Sequence, residues 1–227
     1  LAVSLQRAGE YAAAEPVFEK GLDLQPEHPG LLEGLSWLTF RNGDYEKSRI
    51  ITKKRLSEGS LSPRSKQAFL IRLAAIEMIQ KRLERSEQYF AEAFAIDSSA
   101  ATVNEHYAYL CAQRLEFQRA LKYAEAAFVK DTSAAACNLK AWLLIAGEID
   151  LDAGIALAIK AIELKPSNWD EKLNLYPYFA IPEHSFGLAC MRKVEMQKAV
   201  TYLEKAAELY PSRAEIMHDL AIAKSMV

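Results

Sequence analysis

The sequence predicts an all-α chain built as a solenoid of stacked antiparallel helix pairs. Three observations carry that expectation: a local pattern found six times, gaps of 34 residues in three of the five intervals, and small residues at fixed points in each copy. The defining stretch is Ala8 to Pro26, AGEYAAAEPVFEKGLDLQP. With Ala14 as its marker, the counterparts are Ser48, Ser86, Ala120, Gly154 and Ala199. Each stands three residues after a bulky residue: Tyr11, Tyr45, Leu83, Phe117, Leu151 and Met196. The gaps run 34, 38, 34, 34 and 45 residues, the signature of a helical repeat array.

Apolar residues at three-to-four spacing give each predicted helix one buried stripe. Small residues at the marker positions let two helix backbones approach closely. One hairpin of two such helices cannot bury its stripe on both sides. Stacking does so, and each repeat then depends on its neighbours. Alanine and glycine at the markers are therefore packing residues.

The pattern resembles the tetratricopeptide repeat (TPR) family. In the first helix of each pair, helix A, a large-small couple reads Leu1/Ala2, Leu35/Ser36, Leu73/Ala74, Tyr107/Ala108, Phe186/Gly187 and Leu220/Ala221. In helix B the residue four after the marker reads Phe18, Thr52, Phe90, Ala124, Ala158 and Leu203; three further on come Gly21, Arg55, Ala93, Ala127, Ala161 and Ala206. Closing prolines stand at Pro26, Pro166 and Pro211. The resemblance implies a right-handed superhelical solenoid. Thr52 and Arg55 make the second repeat the most divergent, and Ala141/Trp142 inverts the large-small order in the fifth.

Taken in order, the repeats are expected at about residues 1–28, 29–62, 67–100, 101–134, 135–168 and 180–213, with a partial copy over 214–227. Pro16 costs little if its helix starts near Tyr11 and implies a kink if the start lies further upstream. Asn42-Gly43-Asp44 reads as a breaker between two helices. The stretch Glu58 to Lys66 holds four extra residues and reads as a loop. Trp169 to Phe179, WDEKLNLYPYF, is an eleven-residue insertion. Ser167 with Asp170, or Asn168 with Glu171, gives it a capping-box start, and Pro177 a stop. Pro182 suits the first turn of the next helix. Leu1 and Val227 both match the interior of a helix A, as in an excerpt from a longer array.

Bulk properties narrow the function classes. A net charge of −2 and a sequence pI near 6.2 give no overall nucleic-acid footprint, and Lys53/Lys54 and Lys81/Arg82 read as solvated helix faces. The longest strongly apolar run, Ala141 to Gly147, is too short to span a bilayer. Cys111, Cys137 and Cys190 have no paired spacing, which suggests neither a disulfide framework nor a zinc site. They favour a reducing compartment such as the cytoplasm. No nucleophile elbow, phosphate loop or paired-histidine metal motif occurs, so neither cofactor nor catalytic residue is expected. His184 and His218 share one repeat position, without a third metal ligand in view. Glu148, Asp150 and Asp152 stand at turns or helix starts, where acids favour the helix dipole.

The resemblance also implies where a partner would sit, because helix A lines the inner wall of a TPR array. The corresponding positions here are Trp37, Phe40 and Arg41; Ile71, Met78 and Ile79; Glu105, Tyr109 and Gln113; Leu139 and Leu143; and His184, Leu188, Met191 and Arg192. Such a wall is mainly apolar and needs an occupant. Trp37, Phe40, Met78, Tyr109 and Leu188 are the expected anchors, with Arg41, Glu105 and Arg192 fixing register. The positions for chaperone-tail clamp asparagines read Trp37, Ala75, Tyr109, Leu143 and Leu188, so that use is not expected; Arg72 and Lys140 remain as inner-face cations. In the insertion, Trp169, Tyr176, Tyr178 and Phe179 either plug the gap between two repeats or form an aromatic wall for a partner.

The expected function is a non-enzymatic scaffold that holds a peptide or helix of a protein partner. Two alternatives stand beside it. One is a recruiting or regulatory arm of a larger enzyme, of glycosyltransferase or polysaccharide-assembly type. The other is a scaffold that assembles with its own copies.

Overall fold

A computed structural model describes residues 1–59, 61–165 and 180–227. It holds thirteen α-helices and no strand among the described residues, and its backbone divides into two compact units, Leu1–Ser98 and Ser99–Val227. The expected helix of the insertion, with Trp169, Tyr176, Tyr178 and Phe179, lies outside the described residues, as does Pro166.

The first unit contains α1 (Ala2–Arg7), α2 (Tyr11–Leu24), α3 (Pro29–Arg41), α4 (Tyr45–Ser57), α5 (Pro63–Ile79) and α6 (Leu83–Ile96). Consecutive helices pack against one another, as a chain of helical hairpins requires. Because α2 begins at Tyr11, Pro16 falls in its second turn, where it forfeits one backbone hydrogen bond. The breaker works as its residues dictate: Gly43 takes φ +81°, and the Asp44 carboxylate accepts from the Lys47 N–H at 3.0 Å as N-cap of α4.

The extra residues after the second repeat go mainly into the following helix, which begins at Pro63. Ser62 caps α5 by accepting from the Ser65 N–H at 3.1 Å, and Pro63 occupies the first helical position. Both features favour an early start, so the insertion becomes an added turn on a helix of 17 residues.

The sequence markers form the packing seams. Ala14, Ser48 and Ser86 are fully buried, and Phe18 and Phe90 fill the seam beside them. Burying each ring contributes about 2 kcal/mol or somewhat more. Thr52 stands where those rings stand and is equally buried. Its hydroxyl meets Ser36 Oγ at 2.6 Å; Ser48 Oγ donates to the Ser36 carbonyl at 2.8 Å, and Arg72 Nη1 donates to Ser36 Oγ at 2.9 Å. A satisfied polar cluster thus replaces the aromatic plug, and Arg55, also buried, pairs with Glu58.

The second unit contains α7 (Ala101–Gln113), α8 (Phe117–Lys130), α9 (Ala134–Ala146), α10 (Leu151–Leu164), α11 (Pro182–Arg192), α12 (Met196–Leu209) and α13 (Ala214–Ser225). Pro182 opens α11 at its first position, and Asp150 caps α10 by accepting from the Ala153 N–H at 3.0 Å. The B helices α8, α10 and α12 bury narrow stripes rich in small residues, such as Ala120, Ala124 and Ala127. The A helices α7, α9 and α11 are buried around most of their circumference. A methyl group on Gly154 would sit 2.7 Å from Ile145 Cγ1 and 3.2 Å from the Ala141 carbonyl oxygen, so any side chain there would force α9 to shift. The inverted Ala141/Trp142 couple keeps the same frame, since Ala141 is fully buried and Trp142 turns towards Tyr109.

Helix A passes to helix B by one recurrent turn. In the last of them the Glu195 N–H bonds the Cys190 carbonyl at 2.9 Å, and Val194 between them takes φ 61°. Gly9 and Gly43 occupy the equivalent left-handed position at no steric cost, whereas Lys81, Leu115, Glu148 and Val194 hold it with a Cβ.

Candidate functional site

In the first unit, α3 and the start of α2 bring an arginine and two aromatic rings together. Trp37 and Tyr11 lie 5.5 Å apart at 47°, and the Arg41 guanidinium stands 3.5 Å from the centre of the Tyr11 ring. All three side chains are partly exposed. Spacing explains the geometry: Trp37 and Arg41 are four apart on one helix and share a face. The sequence singled out Trp37 and Arg41 but treated Tyr11 only as a packing landmark; an aromatic side chain at the helix start was the available signal.

Of the other first-unit candidates, Ile79 is partly exposed and the remaining three are core residues. Phe40, Ile71 and Met78 are 2%, 6% and 1% exposed, and Phe40 packs on Tyr45 with ring centres 5.7 Å apart. Beside them Glu77 is buried in contact with two arginines, Arg49 at 3.2 Å and Arg82 in the following turn. Arg72 is held by Ser36 and lies 5.3 Å from the Phe69 ring centre.

In the second unit, Tyr109 is 2% exposed, its ring stacks on Trp142 at 5.9 Å, and its hydroxyl accepts from the Ala180 N–H at 3.1 Å. Burial pushes the phenol pKa above its ordinary value. Leu143 is fully buried. Glu105 and Gln113 are partly exposed and engaged with other groups. Lys140 pairs with Glu125 at 3.5 Å and stands 5.3 Å from the Phe128 ring centre.

On α11, His184 is buried and its Nε2 lies 2.8 Å from Asp219 Oδ2, while His218 Nδ1 lies 3.2 Å from the other carboxylate oxygen. Partial burial raises the Asp219 pKa; hydrogen bonds to the two histidines outweigh it, and the carboxyl stays below its usual value. No group of three or more His, Cys, Asp or Glu fit to hold a metal occurs among the described residues. Leu188 is partly exposed. Arg192 is exposed and paired with Glu148. Lys165 pairs with buried Glu183, whose Oε2 has no hydrogen-bond partner among the described residues. No helix among the described residues is long and apolar enough to cross a membrane.

Residues 1–63 match the family model described as tetratricopeptide repeat. Together with the helix pairs of both units, that match decides the architecture.

The chain has the TPR fold.

Solved structures agree along nearly its whole length. The APC/C hetero-tetramer Cut9-Hcn1 matches with a TM-score of 0.76 at 13% identity, over 98% of this chain and 41% of the matched one. This chain therefore spans less than half the length of that relative. The pilF protein of Pseudomonas aeruginosa matches with a TM-score of 0.65 at 16% identity, covering 97% and 93% of the two chains. YrrB, a TPR protein with an unusual peptide-binding site, matches with a TM-score of 0.52 at 15% identity, over 88% and 96%. No curated protein matches the chain in sequence. At these identities the likeness is one of TPR fold.

Proposed function

We propose that this TPR chain is a non-enzymatic scaffold that binds a polypeptide segment of a partner protein on its A helices. The observation that carries the reading is the Trp37–Tyr11–Arg41 assembly. Two partly exposed rings offer apolar area with polar tips, and a planar guanidinium beside them can receive a carboxylate. Contact with water of that kind is characteristic of protein-binding surfaces rather than of cores. The groups are already held against one another, so little ordering entropy opposes binding. The peptide-binding site of YrrB is a precedent for this use of the fold.

In this reading Trp37 is the anchor and Arg41 fixes register in the first unit; within the second unit, taken by itself, Glu105, Gln113, Leu188 and Arg192 are the residues available for contacts. Phe40, Ile71, Met78, Tyr109, Leu143 and His184 act from beneath, by holding the A helices in place.

The test is affinity capture from the native lysate with the wild-type chain and a Trp37→Ala/Arg41→Glu variant, read by mass spectrometry. A partner retained by the first and lost by the second supports the reading, provided circular dichroism shows equal helix content. Identical captures overturn it.

A further inference from the structure

The opposite member of a helix pair, α4, carries a concentration of positive charge. From Lys47 to Lys66 the chain carries seven basic residues and one acidic; the rest of Leu1–Ser98 carries seven basic and thirteen acidic. The first unit is thus polarised, with its excess positive charge in α4 and the start of α5.

Three of the seven cations serve the fold. Lys47 pairs with Glu15 at 3.1 Å and Glu19 at 2.6 Å, Arg49 reaches Glu77, and Arg55 pairs with Glu58. The other four, Lys53, Lys54, Arg64 and Lys66, are exposed and have no ion pair among the described residues. Arg64 and Lys66 also stand near the N-terminus of α5, where the helix dipole disfavours positive charge. Local helix stability therefore gives no reason for them.

The outward face of α4 has an apolar member as well. Ile50, Lys53, Lys54 and Ser57 follow i, i+3, i+4, i+7 spacing and are all exposed, Ile50 to 62%. An isoleucine amid cations matches a polypeptide better than a plain polyanion. Nucleic acid or an anionic bilayer would also extend past the patch onto a unit whose remaining charge is negative, and would be repelled there. A short segment can cover the basic face alone.

We propose that the outer face of α4, with the first turns of α5, docks an acidic polypeptide segment bearing an apolar side chain for Ile50. This surface is separate from the Trp37 assembly, so either can fail without the other.

The test uses the full chain and a fluorescein-labelled peptide of Glu and Asp around a central Leu, followed by fluorescence anisotropy at low salt. Lys53→Glu/Lys54→Glu and Arg64→Glu/Lys66→Glu should each weaken binding about tenfold or more, with unchanged circular dichroism; Lys53→Ala/Lys54→Ala is the milder check, at about threefold. Ile50→Ser should cost a further factor of about three. Oligothymidylate and phosphatidylcholine vesicles containing phosphatidylserine serve as rival probes. The proposal is overturned if the wild type does not bind the peptide, if the charge-reversed variants bind it as well as the wild type, or if either rival binds more tightly. Unchanged affinity in Ile50→Ser would equally overturn the choice of a polypeptide.

Discussion

The hydroxyl of Tyr109 accepts a hydrogen bond from the backbone N–H of Ala180, 71 residues further along the chain, at 3.1 Å. That bond ties α7 to Ala180, two residues ahead of the start of α11, within a site where Tyr109 is almost wholly buried. A tyrosine expected to anchor a partner is thus engaged inside its own unit. Tyr109→Phe should destabilise the chain by about 1 kcal/mol, the usual net worth of such a bond, and Tyr109→Ala by about 3 kcal/mol or more through the cavity it leaves. Urea unfolding measures both, and amide exchange at Ala180 should accelerate in Tyr109→Phe. Unaltered exchange would show that the bond is not populated.

His106 predicts an acid-labile second unit. Complete burial pushes its pKa down from 6.5 to about 3, so the folded chain keeps the ring neutral while the unfolded chain protonates it. Its contribution is therefore intact above pH ~6.5 and lost as pH falls towards 3. Between pH 7.5 and 5 the loss should be about 2 kcal/mol, and His106→Gln should be flatter over that interval. Parallel slopes for the two proteins in urea titrations would contradict the prediction.

Val194 is a β-branched residue at φ 61° and is 74% exposed in its turn. No burial offsets the cost of that backbone. Val194→Gly should raise stability by about 1 kcal/mol, and Leu115→Gly by less, because leucine lacks the β-branch. Thermal unfolding decides it: a lower midpoint for Val194→Gly would mean that the turn is not left-handed.

Gly154 gives the converse case. In an ordinary exposed helix, Gly→Ala gains about 1 kcal/mol. Here the new methyl would meet Ile145 and the Ala141 carbonyl, and overpacking costs typically ~1–3 kcal/mol, so Gly154→Ala should be neutral to destabilising. A clear gain in midpoint would show that α9 and α10 can part without cost.

The helix starts were legible wherever a local rule fixed them. Pro182, Asp150 and the Asn42-Gly43-Asp44 turn all act as their residue types demand. Glu58 to Lys66 reads as a loop throughout, but the connection ends at Ser62 and Pro63 to Lys66 are helical, because extra residues can enter a connection or extend a helix. Ser62 and Pro63 held the information that chose the helix. That Trp37 and Arg41 share a helix face was visible as i, i+4 spacing, whereas Tyr11 meets both only through the packing of α2 on α3.

The sequence by itself determined the repeat: large and small residues at fixed spacing prescribe which helix faces can meet, and those constraints act over one helical hairpin at a time. Only the tertiary structure decided which A-helix residues remain in contact with water. Trp37 and Arg41 keep partial exposure while Phe40, one residue before Arg41, is enclosed, and Tyr109 finds its partner 71 residues away. A residue's exposure depends on every element that reaches it, and a repeat pattern specifies only its nearest neighbours.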